Sequence, residues 1–171
     1  MSDWCFPFKT PPELHWRGGS RFFGAPRPKG RKHGGCDLIK PPYEQIYAVH
    51  DGVLVHEETL FYQGTFYVTY QHGPYLVRYG EILKGSTNGA KRGHTVKKGD
   101  PIAKVGLMIN PKTKKLYPAD GPRGHMLHLE MYAKGSDHST LRSKKGPYQR
   151  RKDVMDPAPH LDEWVKYPPP G

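Results

Sequence analysis

The chain has little to staple it covalently and little that could enter a lipid bilayer. Its 171 residues hold two cysteines, Cys5 and Cys36, too few for a disulfide framework. No apolar run approaches the roughly 20 residues that cross a bilayer. The opening MSDWCFPFKTPPELHW lacks the basic and apolar stretches of a secretory signal, so work outside the cytoplasm would require delivery by other machinery. Negative charge is scarce: 16 Asp and Glu stand against 27 Lys and Arg, a formal charge of +11. Such a field attracts polyanions. Yet there is no zinc-finger spacing, no RNP-like aromatic pattern and no basic helix with heptads, so nucleic acid is not expected as a partner. The clusters RPKGRKH (27–33), KKGD (97–100) and RSKKGPYQRRK (142–152) read first as solvated faces.

Long helices are also excluded, because 18 prolines and 20 glycines break the chain at short intervals. Between them lie short alternating runs. Residues 44–58, EQIYAVHDGVLVHEE, read as strand, Asp51-Gly52 turn and strand, a hairpin signal. Residues 66–82 give two strands about a His72-Gly73-Pro74 turn. Residues 97–108 supply a turn and a strand, and HMLHLEMYAK (125–134) alternates as a half-buried strand. Closely spaced short strands predict an all-β, antiparallel fold. The length suits a single domain over residues 1–171: an irregular N-terminal arm (1–20), a core (21–135), and a basic, Pro-rich C-terminal tail (136–171) with a helical turn near 160–166.

Two short motifs carry the chemistry. HGGCD (33–37) and MLHLEM (126–131) together offer His33, Asp37 and His128. Two histidines and a carboxylate are the ligand set of a catalytic zinc that leaves its fourth position to water. The two glycines between His33 and Asp37 allow a tight turn or loose strand end to aim both at one ion. A domain of this size buries a core without a structural metal, so a metal here would be functional. Cys36 as a fourth ligand would close the site; alternation instead turns it away from His33 and Asp37.

The order GAPR, RKHGGCDL, IYAVHDGVLV, a strand ending His-Gly, RYGE, VKKGDPIAKVG and LHLEMY resembles the LytM/lysostaphin-type zinc metallopeptidases, family M23, over roughly residues 22–132. The resemblance implies a small antiparallel β-sheet/barrel-sandwich hybrid with a groove over the sheet. It further implies one Zn²⁺ on His33, Asp37 and His128, and hydrolysis of peptide cross-links in bacterial peptidoglycan. The chain departs from the family twice. Met126 stands where the last motif usually has a histidine, and Glu81 stands at a catalytic position that is usually histidine. A carboxylate beside the metal is a competent general base, so Glu81 is the expected catalytic residue, its alternative being an exposed glutamate paired with Arg78 or a nearby lysine.

Other residues invite smaller roles. His125 could replace the missing imidazole, although on a strand it points away from Met126 and His128. Glu130 shares the face of His128 and could orient it. His72 suits a hydrogen-bonded structural role; Tyr75, Tyr79 and Tyr132 suit packing before groove lining. His50, His56 and His94 read as surface residues, and His138 and His160 carry no signal. Three functions follow from these readings: an active zinc endopeptidase, a degenerate domain that binds wall or a partner enzyme, and a basic β-domain that binds nucleic acid or acidic glycans. The open triad favours the first. Its expected setting is a monomer made in the cytoplasm and delivered to the wall or periplasm as a phage tail or lysis component or a secretion-system effector. A delivery apparatus or immunity protein would be its partner. D-alanyl-diaminopimelate links are the expected substrate, with glycine bridges the alternative.

Overall fold

The structure, a computed structural model, describes residues 2–118, 124–135 and 143–171. Strands dominate it: β1 (Cys36–Ile39), β2 (Gln45–Tyr47), β3 (Gly52–Leu60), β4 (Phe66–His72), β5 (Tyr75–Ile82), β6 (Thr95–Val96), β7 (Pro101–Lys104), β8 (Met126–Tyr132) and β9 (Val154–Met155). Among the described residues one α-helix, α1 (Ala158–Trp164), follows, at the place where a helical turn is expected. The large sheet runs β1-β8-β5-β4-β3-β6, with β9 added to β8, and β2 and β7 form a separate pair. Every pairing is antiparallel, as the closely spaced strands predict.

The β4–β5 hairpin forms where the sequence places it, with His72 opposite Tyr75. Gly73 takes φ +55°, and with Pro74 held at negative φ this is the II′ combination that suits strand twist. The Asp51-Gly52 step differs from expectation. It is a turn between sheets and not a hairpin, because β2 pairs with β7 while β3 pairs with β4 and β6. Gly52 is needed there for room: a Cβ would strike the His72 ring and the Gln71 carbonyl. Asp51 meanwhile accepts from the Lys98 backbone N–H (2.8 Å).

Strand β8 is buried at every position, and not on one face only. Leu127, Leu129 and Met131 enter the main core with Cys36, Leu38, Val77 and Tyr79. Met126, His128 and Glu130 face the other way and are buried under loops. Covering both faces also explains the terminal segments. Phe6, Phe8 and Trp16 are buried in the same core as Ala158, Leu161 and Trp164 of α1. Trp4 stacks on Trp164 (centroids 5.1 Å apart), and the Trp16 indole N–H donates to Asp162 (3.0 Å). The irregular arm and the tail thus join through aromatic burial that no local periodicity announces.

His72 is a structural histidine at the centre of this packing. The Tyr79 hydroxyl accepts from the Val49 N–H (3.2 Å) and donates to His72 Nε2 (2.8 Å), so Nδ1–H donates to the Asp51 carbonyl (3.2 Å). Burial depresses its pKa to about 4. The unfolded ring, near 6.5, therefore binds its proton first as pH falls. Stability should be flat above about pH 6.5 and drop by on the order of 2–3 kcal/mol by pH 4.5 through this residue. Urea unfolding at pH 7 and 4.5 checks this: His72→Gln should shrink the difference between the two midpoints, whatever its stability at pH 7.

Candidate metal centre

The large sheet sets the site by register. Asp37 on β1 lies directly opposite His128 on β8, and His128 lies opposite Gly80 on β5. His33, just before β1, is anchored by backbone bonds to a loop: its N–H donates to Ala25 O and its carbonyl accepts from Gly24 N–H, both 2.8 Å. Neither Gly34 nor Gly35 adopts positive φ, and of the two expected arrangements, a tight turn or a loose strand end, the chain takes the second, leading directly into β1. Gly35 serves as a close approach. A Cβ there would collide with the Leu129 carbonyl and lie 3.1 Å from the His128 ring, while one on Gly80 would lie 3.3 Å from the same ring and 2.9 Å from Phe61. The imidazole is thus held between two glycines.

Three ligand atoms converge. His33 Nε2 lies 3.1 Å from Asp37 Oδ1 and 3.1 Å from His128 Nδ1, and His128 Nδ1 lies 2.9 Å from Asp37 Oδ1. The outer ring nitrogens fix the tautomers. His33 Nδ1 faces the Phe22 carbonyl (2.9 Å) and His128 Nε2 faces the Glu130 carboxylate (2.9 Å), both pure acceptors, so both outer nitrogens carry the hydrogens. Two imidazole lone pairs and a carboxylate oxygen are therefore aimed at one point. That cluster is repulsive without a cation, and its edges approach the roughly 3.3 Å of a tetrahedron with zinc bonds of about 2.0 Å. The residues fit a divalent ion of the zinc type. The pull toward positive charge shows in His128: although burial opposes ionisation, the hydrogen bonds to Asp37 and Glu130 raise its pKa to about 10.

Glu130 is fully buried and holds His128 in place. It also accepts from Tyr132 Oη (2.7 Å) and Arg150 Nε (2.9 Å), with Arg78 Nη1 at 3.5 Å. These partners offset the desolvation of a buried carboxylate. Arg150 belongs to the basic cluster of residues 142–152, expected as a solvated face, and is drawn instead onto Glu130.

Glu81 enters the site by breaking strand alternation. Val77 and Tyr79 point into the core and Arg78 toward Glu130, so position 81 should face the core. Its φ of +60° instead turns the side chain to the cleft. That backbone is strained by about 1–3 kcal/mol for a residue with a side chain. Its carboxyl is buried, Oε2 has no hydrogen-bond partner, and burial with the nearby Asp37 raises its proton affinity. The surface pairing with Arg78 does not form, since Arg78 pairs with Glu130.

The cleft over these groups has a volume of about 670 Å³ and is also lined by Arg27, Phe61, Tyr62, Tyr67, Met108, Met126 and Tyr148. Arg27 Nη2 stands 3.9 Å from Asp37 Oδ2. His125 is turned away, its Nδ1 accepting from the Met108 N–H (3.0 Å). Cys36 is buried in the core, where burial pushes its thiol up to about 12. Tyr79 and Tyr132 are engaged with His72 and Glu130, and Tyr75 packs against His160 (5.2 Å). His50 lies against Trp4 (4.2 Å), His56 and His94 are exposed, and His138 lies outside the described residues.

The chain matches the family model "Peptidase family M23" over residues 31–140. It belongs to that family. Three solved structures share its fold across most of both chains. CbpA from L. salivarius REN is 19% identical with TM-score 0.61, covering 95% of this chain and 97% of its own. LytU is 23% identical with TM-score 0.56, covering 88% and 90%. The catalytic domain of the antimicrobial peptidase lysostaphin from Staphylococcus simulans is 19% identical with TM-score 0.54, covering 82% and 89%. No curated protein sequence matches the chain.

Because Glu130 and the flanking glycines hold the His128 ring, each should matter to metal affinity. Glu130→Gln should weaken zinc binding by about 10- to 100-fold, read by competition with a chromophoric chelator. Gly80→Ala should weaken it in the same direction while far-ultraviolet circular dichroism stays unchanged.

Proposed function

We propose that this M23 member is a zinc metalloendopeptidase that hydrolyses peptide cross-links of bacterial peptidoglycan. The observation that carries the reading is the convergence of two imidazole lone pairs and a carboxylate at the floor of a cleft, beside a buried glutamate with a free oxygen. Family membership supports the peptidase chemistry. His33 Nε2, Asp37 Oδ1 and His128 Nδ1 would hold the ion. Zinc bound there supplies Lewis acidity, polarising a carbonyl and bringing the ionisation of water near neutral pH.

The chain's own residues do the rest. Glu81 accepts a proton from the attacking water and can return it to the leaving amine. A buried carboxylate of raised proton affinity is matched to both transfers near neutral pH. Its strained backbone and unpartnered oxygen keep it from being satisfied elsewhere. Met126, where a histidine is usual in the resemblance, supplies an apolar lining and no proton, so Glu81 carries the acid–base work in this reading. The intact triad with a poised carboxylate favours catalysis over a degenerate binding domain.

The decisive experiment pairs metal analysis with digestion of purified sacculi. The wild type should bind one zinc and release soluble muropeptides, and a chelator should abolish release until zinc is restored. His128→Ala should lose metal and activity together. Glu81→Gln should keep zinc while turnover falls by on the order of 10²- to 10⁴-fold. Zinc-loaded wild type that releases nothing from any wall type would sink the enzyme reading, and full activity in Glu81→Gln would sink only the choice of base.

A further inference from the structure

The two sides of the cleft differ in chemistry. Strand order places β1 and the loop before it on one side, and the β3–β4 turn on the other, with β8 and β5 between. The β3–β4 side is apolar and aromatic, with Leu60, Phe61 and Tyr62. The loop side is cationic, with Arg21, Arg27, Arg31 and Lys32. The other two cations of the lining, Arg78 and Arg150, both pair with Glu130. The loop cations are not paired in this way. Among the described residues Arg31 Nε bonds only the Pro28 carbonyl (3.3 Å), and neither its terminal fork nor the Lys32 ammonium has a partner. Arg27 bonds the carbonyls of Ser20 and Pro26, and its nearest carboxylate is Asp37, at 3.9 Å.

A free guanidinium fork is shaped for a carboxylate. Among the described residues the acids lining the cleft are Asp37 and Glu81, which the site itself employs. A neutral glycine bridge offers nothing to this wall. We propose that Arg27, Arg31 and Lys32 form a carboxylate-reading wall, so that the substrate is a peptide bearing free carboxylates beside the bond to be cut. Arg27, next to the metal ligands, reads the carboxylate nearest the scissile bond, and Arg31 and Lys32 read one further out. The opposite wall takes the apolar face of the same peptide. This rests on the hydrolase reading of the site.

The test uses fluorescent peptides of one backbone and one scissile bond: all carboxylates free, side-chain carboxylates amidated, C-terminus amidated, or both amidated. Binding is read by anisotropy on zinc-loaded Glu81→Gln protein, and cleavage by kcat and KM on zinc-loaded wild type. The free-carboxylate peptide should bind on the order of 10- to 100-fold more tightly than the fully amidated one. Arg31→Gln should raise KM for it while leaving kcat and the amidated peptide little changed, and Arg27→Gln should raise KM for it more than for the amidated peptide. The singly amidated peptides tell which carboxylate is read. Equal affinity for charged and amidated peptides, including no binding of either, overturns the proposal, as does equal weakening of both by Arg31→Gln. Discrimination in binding without cleavage of any peptide leaves the wall standing and removes the hydrolase reading; cleavage without discrimination does the reverse.

Discussion

Three electron-rich atoms within about 3 Å of one another are the constraint around which this molecule is arranged. His33, Asp37 and His128 would repel if left alone, and an unconstrained imidazole would rotate away. The fold denies them that relief, and the proton affinity of His128 rises instead. Phe22 and Glu130 occupy the far ring nitrogens, and Gly35 and Gly80 leave the His128 ring only one slot. Glu130 in turn is a buried charge that the sheet tolerates because Arg78, Arg150 and Tyr132 surround it. The charge balance of the core therefore runs from the C-terminal segment through a carboxylate to a candidate metal ligand.

The fold class and the triad were legible because both rest on local signals. Alternating strands with glycine and proline punctuation are visible in a short window, and His33, Asp37 and His128 sit in two short motifs, each weak alone, whose order with the motifs between them resembles the M23 family. The Asp51-Gly52 turn was legible as a turn but not as a passage between sheets. Which strand pairs with which depends on β7 and β4, distant in sequence. The terminal segments were read as periphery because their aromatic residues lack a period, and Trp4 meets Trp164 only once the sheet is closed.

Within the site, the illegible parts are those set by geometry that cancels a rule. Alternation along β5 sends Glu81 to the core; only its backbone dihedral sends it to the cleft. Arg150 sits in a basic run, where charge alone cannot separate the half-buried guanidinium that holds Glu130 from the other cations beside it. Gly80 looked like a feature of a motif, and its reason is the ring of His128 across the ladder.

The left-handed backbone at position 81 also limits what evolution can try there. A β-branched side chain would be excluded by its own Cβ substituents, whereas histidine, asparagine and aspartate visit this region more readily than most residues. The position can thus exchange one proton-carrying side chain for another, a histidine for a glutamate, with the main chain unaltered. The pocket inherits its direction from the backbone and leaves the chemistry to whichever side chain tolerates the bend.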